Sequence, residues 1–327
     1  MPNETTQRLS KNERREHARE QARLAREAEK KREKRNRLYI QGGVVVGVLA
    51  ILAIVGLVLS QNLKPAGPGP LNMMSGGVTF TKDLKVVPTD RLEDPAAARV
   101  APEADRTKLP LDVTVYVDYM CPACGAFEQQ HGTMLENYVG SGDVELRIFP
   151  INFLDSQSLG TKYSTRAANL MACVVDQQPD VAFALHTRLL SAAVQPSEQT
   201  PGLSDKELVA QAEAAGAKAD GKLQSCMRDR SFAGFVDGNW VSASTSISGL
   251  AAGAVLIGSV DRNTGAIIAM QQEGRPQIIV STPLVIVNGQ QWYGLRDGSL
   301  ESFILKVKGE IEQKASGSGT TTPTPAP

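Results

Sequence analysis

The sequence predicts an α/β fold with an all-helical insertion, preceded by a single N-terminal transmembrane helix. Three observations carry that expectation. A nearly continuous apolar run, "LDVTVYVDYM" at 111–120, leads into a helical pattern and then a second strand-like run, "VELRIFPINFL" at 144–154. Between about 160 and 238 the pattern turns into successive helical stretches, and β-rich runs return at 276–295. Finally, "LYIQGGVVVGVLAILAIVGLVLS" at 38–60 holds no charge over 23 residues. At roughly 1.5 Å per residue that is long enough to cross a hydrocarbon core of roughly 30 Å.

The N-terminal segments come first. Residues 1–37 hold thirteen Lys or Arg against seven Asp or Glu, although the whole chain of 327 residues has a formal net charge of zero. The basic cluster "KKREKRNR" at 30–37 directly precedes the apolar run. That bias predicts a cytoplasmic tail at 1–37 and an extracytoplasmic C-terminal domain: a single-pass protein of the cell membrane. A cleaved signal peptide is the competing reading, against which the apolar run is longer than a usual h-region. No aromatic residue interleaves with the charges before Tyr39, so a nucleic-acid role finds no support. Residues 61–108 are rich in Pro and Gly and read as a linker, with a short strand, "GGVTFT" at 76–81, able to dock at the domain edge.

The domain is expected over 109–313. Val113, Val115 and Val117 suit a central strand buried on both faces. "GAFEQQHGTMLENYV" follows as a helix, broken by "GSGD". In the insertion, Ser204 followed by Glu207 forms a capping-box pattern at a helix start. "LVIVNGQQWYGL" carries a hairpin signal, and "LESFILKVKGEIEQ" at 300–313 reads as a closing helix. In 239–275, "LAAGAVLIGSV" reads as either a helix or a strand, with glycines that weaken both, and the apolar part at 247–260 is too short for a second span. The tail 314–327, "KASGSGTTTPTPAP", lacks side chains able to build a core and is expected to be disordered.

The chemistry concentrates at "CPACGAFE", residues 121–128. Cys121 falls where a strand ends and a helix begins. Unpaired backbone N–H groups and the helix dipole stabilise a thiolate there, while Cys124 lies one turn deeper. Cys121 is thus the expected nucleophile and Cys124 the resolving thiol. Pro122 suits the first turn, where its missing N–H is not needed. Pro283, in "STPLVIV", would interrupt a ladder as a trans residue; a cis Thr282–Pro283 bond would leave the Thr282 backbone free to pair with an extended peptide.

These residues, together with the helical insertion and the "TP" that precedes "LVIVNG", resemble the DsbA-like extracytoplasmic thiol–disulfide oxidoreductases, which have a thioredoxin fold. The resemblance covers roughly 109–313. It implies that Cys121 is the exposed nucleophile and Cys124 its buried partner. It also implies that Glu128, in the Phe127–Glu128 pair, assists proton transfer, and that Thr282 precedes the cis-proline. A membrane-embedded, quinone-coupled partner that reoxidises the pair is implied as well; nothing in the sequence itself suggests a nucleotide or an organic cofactor. The chain departs from the family in two places. Ala123 stands where well-known oxidases carry His, which puts the oxidising strength in doubt, and 239–275 is longer than compact members need.

If Cys121–Cys124 is the redox pair, Cys173–Cys226 is the pairing left for a structural disulfide, closing a gap of 53 residues. Two reduced buried cysteines are the alternative. A zinc site using the four cysteines, with His131, is disfavoured because structural zinc gathers its ligands as closely spaced pairs, so no metal is expected. His186 reads equally well as a core residue. The function expected is a membrane-anchored oxidase that introduces disulfides into exported, unfolded proteins. A reductase or isomerase, or a non-catalytic client-binding module, is the alternative.

Overall fold

In the computed structural model, residues 20, 23, 31, 67–99, 104–260, 267–269 and 275–317 are described. The chain divides into two units, Met1–Pro65 and Ala66–Pro327, and the architecture below belongs to the second.

A six-stranded sheet organises this unit. Its strands are β1 (Val78–Thr81), β2 (Lys85–Val86), β3 (Leu111–Val117), β4 (Val144–Pro150), β7 (Leu284–Val287) and β8 (Gln290–Trp292), in the order β2-β1-β4-β3-β7-β8. A separate two-stranded ladder joins β5 (Ile257–Val260) to β6 (Ile267–Ala269). Strands β3 and β4 run parallel, joined through helix α1 (Pro122–Ser141), whereas β7 pairs with β3 antiparallel. All seven residues of β3 are buried, as a strand covered on both faces requires.

The alternation along β3 separates two apolar clusters. Val113, Val115 and Val117 join the cluster that holds the cysteine helix and the helical block. Tyr116 joins the other, with Phe149, Ile247, Leu256, Ile279 and Ile286. The stretch beyond residue 239, which the sequence left ambiguous, therefore supplies cover for the second face of the sheet. Tyr116 donates its hydroxyl to the Ser248 carbonyl at 3.1 Å, and Ile279 N donates to Ala243 O at 2.9 Å.

The helical block comprises α2 (Tyr163–Gln177), α3 (Ala182–Leu189), α4 (Asp205–Ala214), α5 (Gly221–Arg228) and α6 (Ala233–Thr245). Helix α2 is its centre, with thirteen consecutive buried residues from Tyr163 to Val175. The Ser204–Glu207 capping box is formed at the start of α4. Helix α1 ends at Gly142, whose φ of 85° is left-handed and open to glycine without strain. The β7–β8 turn places Asn288 and Gly289 at φ 51° and 85°, as a two-residue hairpin of the primed type demands. A short helix, α7 (Gly294–Asp297), and α8 (Leu300–Gly317) close the unit.

Part of the Pro/Gly-rich stretch read as a linker is packed into this unit. Strand β1 pairs antiparallel with β4, and Val78 and Phe80 are fully buried. Arg99 donates to Asn239 Oδ1 at 2.8 Å and to Phe235 O at 2.9 Å, fastening the segment to α6.

The expected transmembrane helix requires a correction. Residues 38–60 lie outside the described residues, and among the described residues no helix is long and apolar enough to cross a membrane. The longest helices are the wrong kind. Helix α1 carries Glu128 and Glu136, and α8 carries Glu301, Lys306, Lys308, Glu310 and Glu312, charges that hydrocarbon excludes. The dependent expectations fall with it: the membrane anchor, the single-pass topology with a cytoplasmic N-terminus, and a membrane-embedded reoxidising partner.

Candidate functional site

The cysteine pair sits where β3 hands over to α1. Cys121 is the N-cap of the helix, with extended backbone angles and no side-chain capping bond, and Pro122 occupies the first helical position. Both cysteines are unpaired thiols. Cys124 has no exposed surface, while Cys121 keeps 7% of its surface open beside the exposed Pro122 and Ala123. Both cysteines are thus buried, and the small opening lies on the Cys121 side, short of the exposed nucleophile that the resemblance implies.

The opposite wall comes from the segment entering β7. The Thr282–Pro283 bond is cis, and the Cys121 thiol donates to the Thr282 carbonyl at 3.3 Å. The Thr282 hydroxyl is buried and has no other protein partner among the described residues, which leaves it free to donate to a sulfur anion.

Electrostatics separate the two thiols. The hydrogen bond from Cys124 is the largest influence on Cys121; burial opposes it, and the Thr282 side chain and the N–H groups of Cys124 and Ala123 reinforce it. The Cys121 thiol falls from the ordinary 9.0 to about 6. Burial and the neighbouring Cys121 push the Cys124 thiol well above its ordinary value. At neutral pH the Cys121 sulfur is therefore largely anionic and that of Cys124 protonated.

Glu128 lies one turn beyond Cys124 on the buried side of α1. Burial raises its carboxyl, but the charge of His186 and hydrogen bonds from His186 and Thr187 outweigh it, so the net effect is downward. Its Oε1 accepts from Thr187 Oγ1 at 3.0 Å and its Oε2 lies 3.4 Å from His186 Nε2. His186 Nδ1 in turn meets the Tyr119 hydroxyl at 3.2 Å. The carboxylate thus ties α1 to α3 and is not hydrogen-bonded to either sulfur. His131 packs with Phe127 and Trp292, at centroid distances of 5.0 and 5.4 Å. Cys173 and Cys226 are joined in a disulfide that links α2 to α5, with their Cα atoms 6.1 Å apart. Among the described residues no group of His, Cys, Asp or Glu is arranged to hold a metal ion.

The carboxyl that does sense the reactive sulfur is Asp118, which sequence reasoning passed over. It is fully buried just after β3. Its Oδ1 accepts from Met120 N at 2.8 Å and Ser164 Oγ at 2.7 Å, and its Oδ2 accepts from Leu154 N at 2.8 Å. One side chain thereby joins the turn before Cys121, the loop after β4 and the first helix of the insertion. Burial pushes its carboxyl up to about 7 despite those bonds, and the charge on Cys121 adds to the rise. A lone Asp three residues before a cysteine gave no signal, because its environment is built by residues 36 and 46 positions away.

Comparison with known proteins finds several similarities. Residues 106–248 match the family model described as Thioredoxin. The serine/threonine-protein kinase PknE of Mycobacterium tuberculosis is 28% identical over 142 residues, covering 43% of this chain; the match spans 25% of that protein's length. Among solved structures, the oxidised M. tuberculosis DsbA is 22% identical with a TM-score of 0.48, covering 75% of this chain and 100% of that one. The reduced disulfide oxidoreductase DsbG of M. tuberculosis is also 22% identical, with a TM-score of 0.46 and coverages of 69% and 92%. BdbD of Bacillus subtilis is 17% identical, with a TM-score of 0.47 and coverages of 76% and 100%. The C-P-x-C pair at a helix start and the proline loop against its first sulfur lie at or beside the stretch that the family model matches. Over residues 106–248 this chain is similar to the thioredoxin family, and its Cys121–Cys124 pair is placed for thiol–disulfide exchange.

Proposed function

We propose that this protein donates the Cys121–Cys124 disulfide to reduced, unfolded client proteins. The observation that carries the reading is the Cys121 thiol held at about 6 beside a sealed, protonated Cys124. Stabilising the reduced thiolate makes the disulfide form the better oxidant, because reduction relieves it.

The exchange balances in two displacements. A client thiolate attacks Sγ of Cys121 in the disulfide, the S–S bond breaks, and its electron pair leaves on Cys124, which takes up a proton. A second client thiolate then attacks the client sulfur of the mixed disulfide, and Cys121 departs as the stabilised thiolate. The client loses two electrons and the pair gains them. A disulfide or other two-electron oxidant must restore the pair for another turnover. The Thr282 backbone, beside Cys121, offers an extended client segment a place to pair, and Asp118 is a buried carboxyl that feels the Cys121 charge and can hold a proton as that charge changes.

The test is direct. The preoxidised protein should reactivate a reduced, disulfide-dependent enzyme, and Cys121→Ser should abolish this. The pair should show a reduction potential above about −200 mV; one near −270 mV would instead mark a reductant. Reactivation unaffected by Cys121→Ser would end the proposal.

A further inference from the structure

We propose that Gln195 is a positioning residue for Cys121, reaching from the helical block to hold the reacting cysteine and the first turn of its helix. The inference rests on the reading of Cys121 as the sulfur that exchanges with clients, and extends it to a residue 74 positions away.

Gln195 lies in the irregular stretch between α3 and α4, its own N–H bonded to Ser191 O at 2.9 Å. Its side-chain Nε2 donates to the Cys121 carbonyl at 2.9 Å and to the Tyr119 carbonyl at 3.3 Å. One amide therefore spans the two residues around Met120. The first turn gains from that support because Cys121 caps the helix with no side-chain capping bond. The N–H groups of Ala123 and Cys124, which favour the thiolate, belong to the turn that Gln195 secures.

Gly125 supplies an independent observation. Glycine is a poor helix residue, yet it stands in the first turn of α1. A Cβ there would lie 2.0 Å from Gln195 Oε1 and 2.9 Å from its Cδ. The open flank of α1 at this point is thus filled by the amide. Because the obstructed atom is the end of a flexible side chain, Gly125→Ala should displace Gln195 rather than unfold the helix.

Two variants at separate positions therefore test one role, using the full chain. Iodoacetamide alkylation of the reduced protein against pH gives the Cys121 titration midpoint. Oxidation of a reduced two-cysteine peptide, with glutathione disulfide supplied in excess to restore the pair, gives kcat and KM. Gln195→Ala and Gly125→Ala should each raise the midpoint by about half a pH unit and lower kcat by about threefold at unchanged KM. Gln195→Glu, whose carboxylate cannot donate to either carbonyl, should do more. If Gln195→Ala fails to fold, Gly125→Ala decides alone. Parental midpoints and kcat in both variants would overturn the role of Gln195 while the exchange reading stands, provided Cys121→Ser is still inactive. An effect in Gly125→Ala with none in Gln195→Ala would also overturn it, because the cause would then be the helix itself. A parent protein without exchange activity would instead remove the functional reading, and the positioning role with it.

Discussion

The S–H of Cys124 is the largest influence holding the Cys121 thiol at about 6. Cys124→Ala removes that donor. A hydrogen bond to a charged acceptor contributes about 1.5–3 kcal/mol, equivalent to roughly one to two pH units of thiol titration. The alkylation midpoint of Cys121 should therefore rise to between about 7 and 8. Cys124→Ser keeps an O–H donor in the same place and should stay within about half a unit of the parent. The midpoint is the quantity to read, because a less acidic thiolate is intrinsically more nucleophilic and rates at a single pH partly cancel. Equal midpoints for Cys124→Ala and the parent would refute the reasoning and transfer the stabilisation to the backbone N–H groups.

Further predictions concern linkage and the second disulfide. A thiol depressed from 9.0 to about 6 stabilises the reduced fold above its ordinary value, and this contribution is lost as pH falls from 9 through 6. The oxidised protein has no such thiol, so reduced-minus-oxidised stability should increase between pH 6 and pH 8. The gain is at most about 2 kcal/mol, reduced by screening at the sulfur's open edge, and denaturant unfolding of both forms would read it. A flat difference over that range contradicts the anionic Cys121. Replacing Cys173 and Cys226 together by Ala should cost about 2–4 kcal/mol in the same assay. The Cys121 midpoint should not move; a coupled change would mean that the Cys173–Cys226 disulfide itself tunes the thiol.

What the sequence made legible was local or periodic. The buried strand at 111–117, the helix opening at Pro122, the Ser204 capping box and the Asn288–Gly289 hairpin each depend on neighbours within a few residues. The features missed depend on distance. Asp118 is an ordinary acid until Leu154 and Ser164 close over it. Gln195 reads as a polar loop residue until the fold brings it onto Cys121. The helix expected to end near 238 continues to Thr245, and the chain after it covers the Tyr116 face, which Gly- and Ser-rich residues without periodicity do not announce. The short strand noted at 76–81 was visible by composition, but its place beside β4 was not.

The antiparallel alignment of β3 with β7 carries a consequence for how the site tolerates change. Tyr116 lies opposite Leu284, which sets the chain just beyond one strand beside the chain just before the other. The sulfur and the carbonyl that meets it are consequently indexed to each other by ladder hydrogen bonds, well away from solvent. Sliding either strand by one position would turn the residue before Pro283 toward the wrong side of the sheet and bury polar groups among apolar ones. Chemical alignment and core packing are therefore selected together: a chain that loses one through such a shift loses the other.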